Sequence, residues 1–422
     1  MTDDIYKENQ PLKFEENKEN REIKEKDNKN SDNISINKEQ NIIRNSSFDL
    51  LRIILMILII LSNILKYTKS LRKLSNQNFL QILNQNYIFL RIISNYEKFG
   101  EILLMMISGY FSVKKLNFHY TKLILIALEI YIYHFLFLYI SIKFKDKYKK
   151  IYIFNQRKGS YYFALTTFLG NKFIQHYVLL LFFMSYINSG LLSLSYEQYK
   201  NLVILIIIFN CIIRSLYNIY EIQSFLFTPN EIINLLLPYI IGGYLRIFDI
   251  QYKILLFLKI SAIPVLILTI IYEFIFDYLA INYKNYIYIQ WQNELSLSTN
   301  SIFLFLSSIG IICLCKDIKI YSKIINIISD SIIGIYLIHA NKNIAPLVYN
   351  TWYQINDYNQ KYFLIKYISK ALIIFFICLI IDIIRRYTIG ILIEFILNCI
   401  YSKFNKNKSN NEEEDTILLY NI

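Results

Sequence analysis

Cysteine is scarce in this chain, and its placement argues against a disulfide framework or a cysteine-based metal site. All five cysteines lie within or beside apolar segments, where a thiol acts as a small buried hydrophobic group: Cys211, Cys313, Cys315, Cys378 and Cys399. Cys313 and Cys315 are two positions apart on a predicted helix and therefore point to different faces. We expect no metal site and no tightly bound cofactor.

Several sequence signatures are also missing. The chain has no G-x-S-x-G elbow, no P-loop and no H-E-x-x-H motif, so hydrolase, nucleotidase and zinc-protease functions lose their usual support. The first 40 residues are polar and lack the apolar stretch of a cleavable signal peptide. We therefore expect membrane insertion to use the first internal apolar segment.

Apolar segments dominate what is present. Apolar residues make up 55% of the 422 residues, and apolar runs near the ~20 residues that cross a bilayer recur from Phe48 almost to the C-terminus. The sequence predicts an all-α, multi-pass integral membrane protein, a bundle of about ten transmembrane helices with disordered polar tails. The predicted spans are 48–65, 99–113, 121–141, 176–194, 201–217, 231–247, 253–276, 300–315, 326–339 and 368–385.

Composition divides the chain into three parts. Residues 1–44 hold nine basic and eleven acidic side chains with few aromatics, which predicts a disordered charged tail. Residues 45–402 form the predicted transmembrane domain, and residues 403–422 form a polar C-terminal tail. Residues 1–44 thus carry −2 of the net charge of +13, so the rest of the chain carries +15 and the membrane domain is the basic part. Lysine and arginine in short loops reflect topology and contact with anionic lipid, so the lipid bilayer is an expected partner and nucleic acid is not.

Polar residues inside apolar spans are costly and are candidates for function. Arg52 and Asn63 lie 11 residues apart in the first span, which is ~20° from three full helical turns and ~16 Å along the axis. They share one face. Either they form a slot with a cation at its mouth and a polar group deeper in, or Arg52 reaches the headgroups and Asn63 pairs with a neighbouring helix.

The second and third spans also carry polar groups. Gly109 permits close helix approach, while Ser108 and Tyr110 offer hydroxyls, a pattern that is also typical of ordinary helix packing. Glu129 and His134 lie five residues apart in the third span, and either could line a polar cavity.

His339 follows an apolar helical segment in the ninth span. Its imidazole could act as a general base near neutral pH, or the residue could simply lie at the membrane interface. The sequence alone leaves both interpretations open.

Taken together, these segments resemble acyltransferase family 3, multi-spanning membrane enzymes that move acyl groups onto sugars and related hydroxyls. The resemblance covers roughly residues 44–386. It rests on the entry to the first span at 47–54, the Ser-Gly-Tyr segment within 106–111 with Lys98 before it, the spaced Tyr177 and Tyr186, the glycine-containing segment 238–246, and residues 334–339 followed by Asn341. Gly190 replaces a proline that is common in the family.

One departure from the family pattern matters most. Asn63 stands where the family has a histidine, with ten residues between it and the arginine of the first span. An amide cannot take a proton near neutral pH, although it can donate a hydrogen bond to an oxyanion. Either His339 or Glu129 then supplies the base, or the protein has lost catalysis and only binds.

The resemblance implies transfer of an acyl group, such as acetyl, from acyl-CoA to a hydroxyl of a carbohydrate or lipid-linked glycan. In this hypothesis Arg52, with Lys122 in support, binds the donor phosphates, because cationic side chains suit that task, and His339 is the first choice for the base. The groups expected to position the acyl carbonyl or the acceptor are Asn63, Ser108 and Tyr110. The alternatives are a non-catalytic protein that binds or translocates an acylated or glycan-linked lipid, and a regulatory pseudoenzyme. Plasma membrane and endomembrane both remain open as the location.

Overall fold

The chain folds into a series of α-helices. The computed structural model describes residues 45–68, 85–94, 96–116, 120–143, 172–219, 231–283, 286–292, 298, 301–341, 345–350 and 362–393, and no strand occurs among them. The helices are α1 (Ser47–Thr68), α2 (Gln85–Ser94), α3 (Tyr96–Ser112), α4 (Tyr120–Lys143), α5 (Lys172–Leu192), α6 (Tyr196–Ile207), a π-helical turn (Ile208–Ile213), α7 (Arg214–Ile219), α8 (Glu231–Ile247), α9 (Tyr252–Tyr283), α10 (Tyr286–Gln292), α11 (Ile302–Asp317), α12 (Lys323–Asp330), α13 (Ile332–His339), α14 (Ala345–Asn350) and α15 (Phe363–Arg385), which continues as a π-helical turn (Arg386–Gly390).

The prediction of an all-α protein with helices suited to a membrane is confirmed. Four segments of the described chain are long and apolar enough to cross a bilayer: Ser47–Leu65, Tyr196–Leu216, Tyr252–Ala280 and Phe363–Ile393. Helical residues occur at all ten predicted spans, but the ninth is divided at Ser331 into α12 and α13. The count of ten crossings therefore stays a prediction. Residues 1–44 and 394–422, which include both predicted tails, lie outside the described residues.

Helix α1 occupies the centre of the described bundle. It packs against α3, α11, α12, α13, α14 and α15, so its apolar side chains contribute to two hydrophobic clusters. Ile60 and Ile64 are fully buried in one cluster, and Leu55 is buried in the other. A helix that is apolar on most sides is stable only when neighbours or lipid surround it. This position brings polar residues of α1 into the interior.

Hydrogen bonds join the start of α1 to the segment between α11 and α12. The Ser46 amide donates to the Ile320 carbonyl at 2.7 Å, and the Ser47 hydroxyl donates to the Cys315 carbonyl at 3.0 Å. The Ser322 amide in turn donates to the Ser46 hydroxyl at 3.0 Å. The start of α1, the end of α11 and the start of α12 therefore lie at one end of the bundle.

Glycines allow α3 and α8 to cross in backbone contact. A Cβ atom added at Gly109 would lie 2.0 Å from the Tyr239 carbonyl oxygen, and one added at Gly242 would lie 2.0 Å from the Met106 carbonyl oxygen. Neither position can hold a larger residue without separating the helices. The prediction that Gly109 permits close helix approach is confirmed.

Helix α9 has an apolar outer surface. Only 11% of the residues in its most apolar 18-residue stretch are buried. The side chains of Phe257, Ile260 and Ile263 are each more than 60% exposed. An exposed apolar surface of this length is unfavourable in water. Lipid contact explains it.

Candidate functional site

The structure brings Asn63 and His339 together in the interior, although 276 positions separate them in the chain. The Asn63 side-chain nitrogen Nδ2 lies 3.5 Å from His339 Nε2. Asn63 is 6% exposed, and His339 is fully buried. Two of the residues predicted to carry catalysis are therefore neighbours.

Hydrogen bonding determines which His339 nitrogen carries the proton. The Nδ1 atom lies 2.7 Å from the Ile335 carbonyl oxygen one helical turn earlier. Because a carbonyl only accepts hydrogen bonds, Nδ1 carries the hydrogen. In the neutral ring Nε2 then presents its lone pair towards Asn63, whose amide donates to it. At 3.5 Å this contact is long, so it is a weak hydrogen bond that another donor can replace.

Local packing fixes the orientation of the His339 ring. The ring lies edge-on to Tyr336, with 5.5 Å between centroids. Helix α13 also lies directly against α15, because Gly334 has no side chain to separate it from the Asp382 carboxylate. The imidazole is therefore held on a helix with little freedom to shift.

Glu97 is a member of this site that the sequence analysis missed. It lies in the first turn of α3, and its carboxylate interacts electrostatically with His339. This interaction brings a negative charge within electrostatic range of the imidazole. Only an acidic residue next to Lys98, at the start of a span, signalled this role in the sequence.

Arg52 is already paired in the structure. Its Nη1 atom lies 2.9 Å from an Asp49 carboxylate oxygen, which also accepts a 2.8 Å hydrogen bond from the Ser329 hydroxyl. The guanidinium lies over the Phe111 ring, 5.4 Å from its centroid. Arg52 therefore lies near the start of α1, ~16 Å along the helix from Asn63.

Ser108 and Tyr110 face different neighbours, because two positions on a helix differ by ~200°. The Ser108 side chain interacts with the Tyr177 phenol, which is also within electrostatic range of Arg52. Tyr110 instead stacks on Phe48, with 5.1 Å between ring centroids. Ser108 therefore contacts α5, whereas Tyr110 belongs to an aromatic cluster with Phe48.

Glu129, the alternative base, belongs to a separate polar cluster between α4 and α15. Its Oε1 atom lies 2.9 Å from Arg385 Nη2, and the same nitrogen lies 2.9 Å from Asp382 Oδ1. The Tyr133 hydroxyl donates to Asp382 Oδ1 at 2.6 Å. We call Glu129, Tyr133, Asp382 and Arg385 the α4–α15 ion cluster. The ion pair with Arg385 occupies the Glu129 carboxylate, and the structure gives no contact between Glu129 and Asn63.

The remaining candidates contribute less. Lys122 belongs to α4, but its side chain lies outside the described residues, so its predicted role stays a prediction. Cys211, Cys313 and Cys378 are buried, and none of the four described cysteines is paired. Within the described part of the chain, no group of three His, Cys, Asp or Glu side chains is arranged to hold a metal ion.

The site thus combines a neutral, buried amide–imidazole pair with a cation near the start of the same central helix. Such a pair can accept a proton at Nε2 and donate a hydrogen bond from the amide. Comparison with protein-family models, with curated proteins and with solved structures gave no match for this chain.

Proposed function

We propose that this protein is a membrane-integral acyltransferase that moves an acyl group from acyl-CoA to a hydroxyl of a carbohydrate or lipid-linked glycan. The observation that carries the proposal is the buried contact between Asn63 and His339. The family resemblance supplies the donor and acceptor classes, and it links the same two positions to the reaction.

The proposed reaction assigns a separate task to each member of the pair. His339 Nε2 takes the proton from the acceptor hydroxyl as its oxygen bonds to the acyl carbon. The Asn63 amide turns from Nε2 to the acyl oxygen and stabilises the negative charge that develops there. The carbon–sulfur bond then breaks, and the proton passes from His339 to the thiolate, giving free CoA. Glu97 stabilises the transient imidazolium.

The long contact between Asn63 and His339 supports this exchange of partners. A short hydrogen bond would hold the Nε2 lone pair and compete with an incoming hydroxyl, whereas a 3.5 Å contact costs little to replace. In the proposed reaction the donor phosphates bind at the start of α1, beside Arg52. Arg52 would contact the donor there while it stays paired with Asp49.

The test is thiol release by the purified full-length chain in nanodiscs, supplied with acetyl-CoA or longer acyl-CoA and a broad panel of hydroxyl acceptors. The proposal predicts acceptor-dependent release of CoA and an acylated product. Absence of release with every donor and acceptor would contradict it. The Asn63→His variant sharpens the assignment, because a rise of about tenfold or more would identify position 63, rather than His339, as the limiting base.

A non-catalytic role is the second candidate, in which the protein binds or translocates an acylated or glycan-linked lipid or acts as a regulatory pseudoenzyme. The occupied Nε2 atom and the asparagine at position 63 favour it. Binding or movement of such a lipid that His339→Ala leaves unchanged, without thiol release, would support this candidate over the first.

We also propose that the chain crosses the membrane ten times, once at each of the ten spans predicted from the sequence. Helices α3, α8 and α11 have 16 or 17 residues, ~24–26 Å, which is close to the ~30 Å of a hydrocarbon core. Single-cysteine labelling from each side of the membrane, in a cysteine-free background, tests this count. Labels at Lys115 and Lys319 should react from one side, and a label at Lys366 should react from the other.

A further inference from the structure

Arg246 lies at the end of α8 in a geometry suited to binding an anion. Its guanidinium carbon lies 5.1 Å from the centroid of the Tyr110 ring, and its Nη1 atom lies 3.4 Å from the Tyr110 hydroxyl oxygen. Tyr110 is 4% exposed and stacks on Phe48, so the ring is a fixed support. The Arg246 side chain itself is exposed. Stacking on an aromatic ring orients the guanidinium and leaves its other N–H groups free to donate.

Arg246 and Arg52 differ in whether a carboxylate pairs with the guanidinium. Asp49 neutralises Arg52 at 2.9 Å. Arg246 has no carboxylate at ion-pair distance among the described residues, and the nearest acidic residue in the chain, Asp249, lies 3.6 Å from Lys316 instead. Of these two arginines, Arg246 is the one whose charge is available to a ligand.

Two more exposed cations, Lys114 and Lys115, lie at the same corner, directly after α3. Val113 contacts the backbone of α8 beside Gly243, one turn before Arg246. Helix ends with bare carbonyl groups repel anions. Here that repulsion is reduced, because the Asn188 amide donates to the carbonyls of Ser112 and Lys115 at 2.8 and 2.9 Å.

The corner is also close to Arg52. The rings of Tyr110 and Phe111 are 5.2 Å apart, and each lies beneath one of the two arginines. A ligand bound at Arg246 would therefore lie at the same end of the bundle as Arg52, beside the start of α1.

We propose that Arg246, Lys114 and Lys115 form a phosphate-binding corner that takes a phosphomonoester or diphosphate group. Arginine offers paired N–H donors that match phosphate oxygens, and lysine adds charge without fixed geometry. The ligand is the nucleotide part of the acyl donor, and this identification rests on the proposed function. The phosphate of a lipid headgroup shares the same chemistry, and the experiment separates the two sources.

The test uses adenosine 3′,5′-bisphosphate and the full-length chain in nanodiscs of neutral phosphatidylcholine, with the dissociation constant measured by calorimetry. Arg246→Gln should raise it about tenfold or more, because a charge-assisted bidentate contact is lost. Arg246→Lys should have a smaller effect. The matched control is Lys319→Gln, which removes one exposed positive charge from the segment between α11 and α12, at the same end of the bundle. This control should change the dissociation constant less than about twofold.

A second arm tests the lipid headgroup. If the bisphosphate does not bind, but the chain retains phosphatidylglycerol and Arg246→Gln abolishes that retention, the corner stands and its ligand is a lipid. Equal behaviour of Arg246→Gln and Lys319→Gln in both arms would overturn the proposal. Binding is measured without an acyl group, so bisphosphate binding without thiol release would refute the proposed reaction and leave the corner intact.

Discussion

Two of the polar groups in the interior of the described bundle are bonded very differently. The α4–α15 ion cluster has two carboxylates, a guanidinium and a phenol joined by contacts of 2.6 to 3.1 Å. The Asn63–His339 pair is neutral and is joined by a single contact of 3.5 Å. Tight, charged contacts hold helices together, whereas a loosely bonded neutral pair retains hydrogen-bonding capacity for a ligand. We therefore expect the cluster to stabilise the fold and the pair to take part in the reaction.

Removing the cation of the cluster should have the largest effect on stability. Arg385→Leu removes the cation that the buried Asp382 and the partly buried Glu129 share, and we expect a loss of about 3–5 kcal/mol in the free energy of unfolding. Unfolding in mixed detergent micelles measures it. Lys366→Leu, an exposed lysine on the same helix, is the control. If the free energies of unfolding of the two variants differ by less than about 1 kcal/mol, the cluster does not have the structural role assigned to it.

Gly334→Ala should have an intermediate effect that links the two regions. The added Cβ would lie 2.0 Å from Asp382 Oδ1, so either α13 or the Asp382 side chain must shift, at a cost of about 1–3 kcal/mol. His339 lies on α13, so acyl transfer should also fall. Gly190→Ala is the matched control, because its added Cβ meets nothing within 4 Å and alanine favours a helix. Equal unfolding and transfer in the two variants would show that the cluster and the pair are independent.

The smallest effect on stability should come from the pair itself. Asn63→Leu keeps the volume of the side chain but leaves His339 Nε2 without its long, weak donor, so the free energy of unfolding should fall by only about 1 kcal/mol. Acyl transfer should still fall about 100-fold, because the oxyanion donor is lost. Thermal unfolding and thiol release on the same preparation measure both. A large loss of stability with unchanged turnover per folded molecule would reverse the roles assigned to the two regions.

Local pattern was sufficient to predict the helices, because they follow from the length and composition of the apolar segments. Close approach at Gly109 was also predictable, since a missing side chain has a direct steric consequence. The break at Ser331 was not predicted, because the apolar residues on either side read as one span. Its cause is a polar Ser-Asp-Ser sequence at 329–331, in which Ser329 bonds Asp49 and Ser331 accepts from Arg386.

The partners of the candidate residues could not be predicted from the sequence. The Asn63–His339 and Glu129–Arg385 contacts join segments more than 250 residues apart, and periodicity within one helix carries no information about which helix lies opposite. Glu97 was missed for the same reason. The aromatic support beneath Arg246 depends on the crossing of α3 and α8, which required the structure.

The most direct test of the central claim is the rate of thiol release by His339→Gln compared with His134→Gln, each corrected for the folded fraction. Both substitutions replace a buried histidine by an amide, but only His339 contacts Asn63. We expect a loss of at least about 100-fold for His339→Gln and less than about threefold for His134→Gln. Equal rates for the two variants, both close to that of the unmodified chain, would contradict the assignment of His339 as the base.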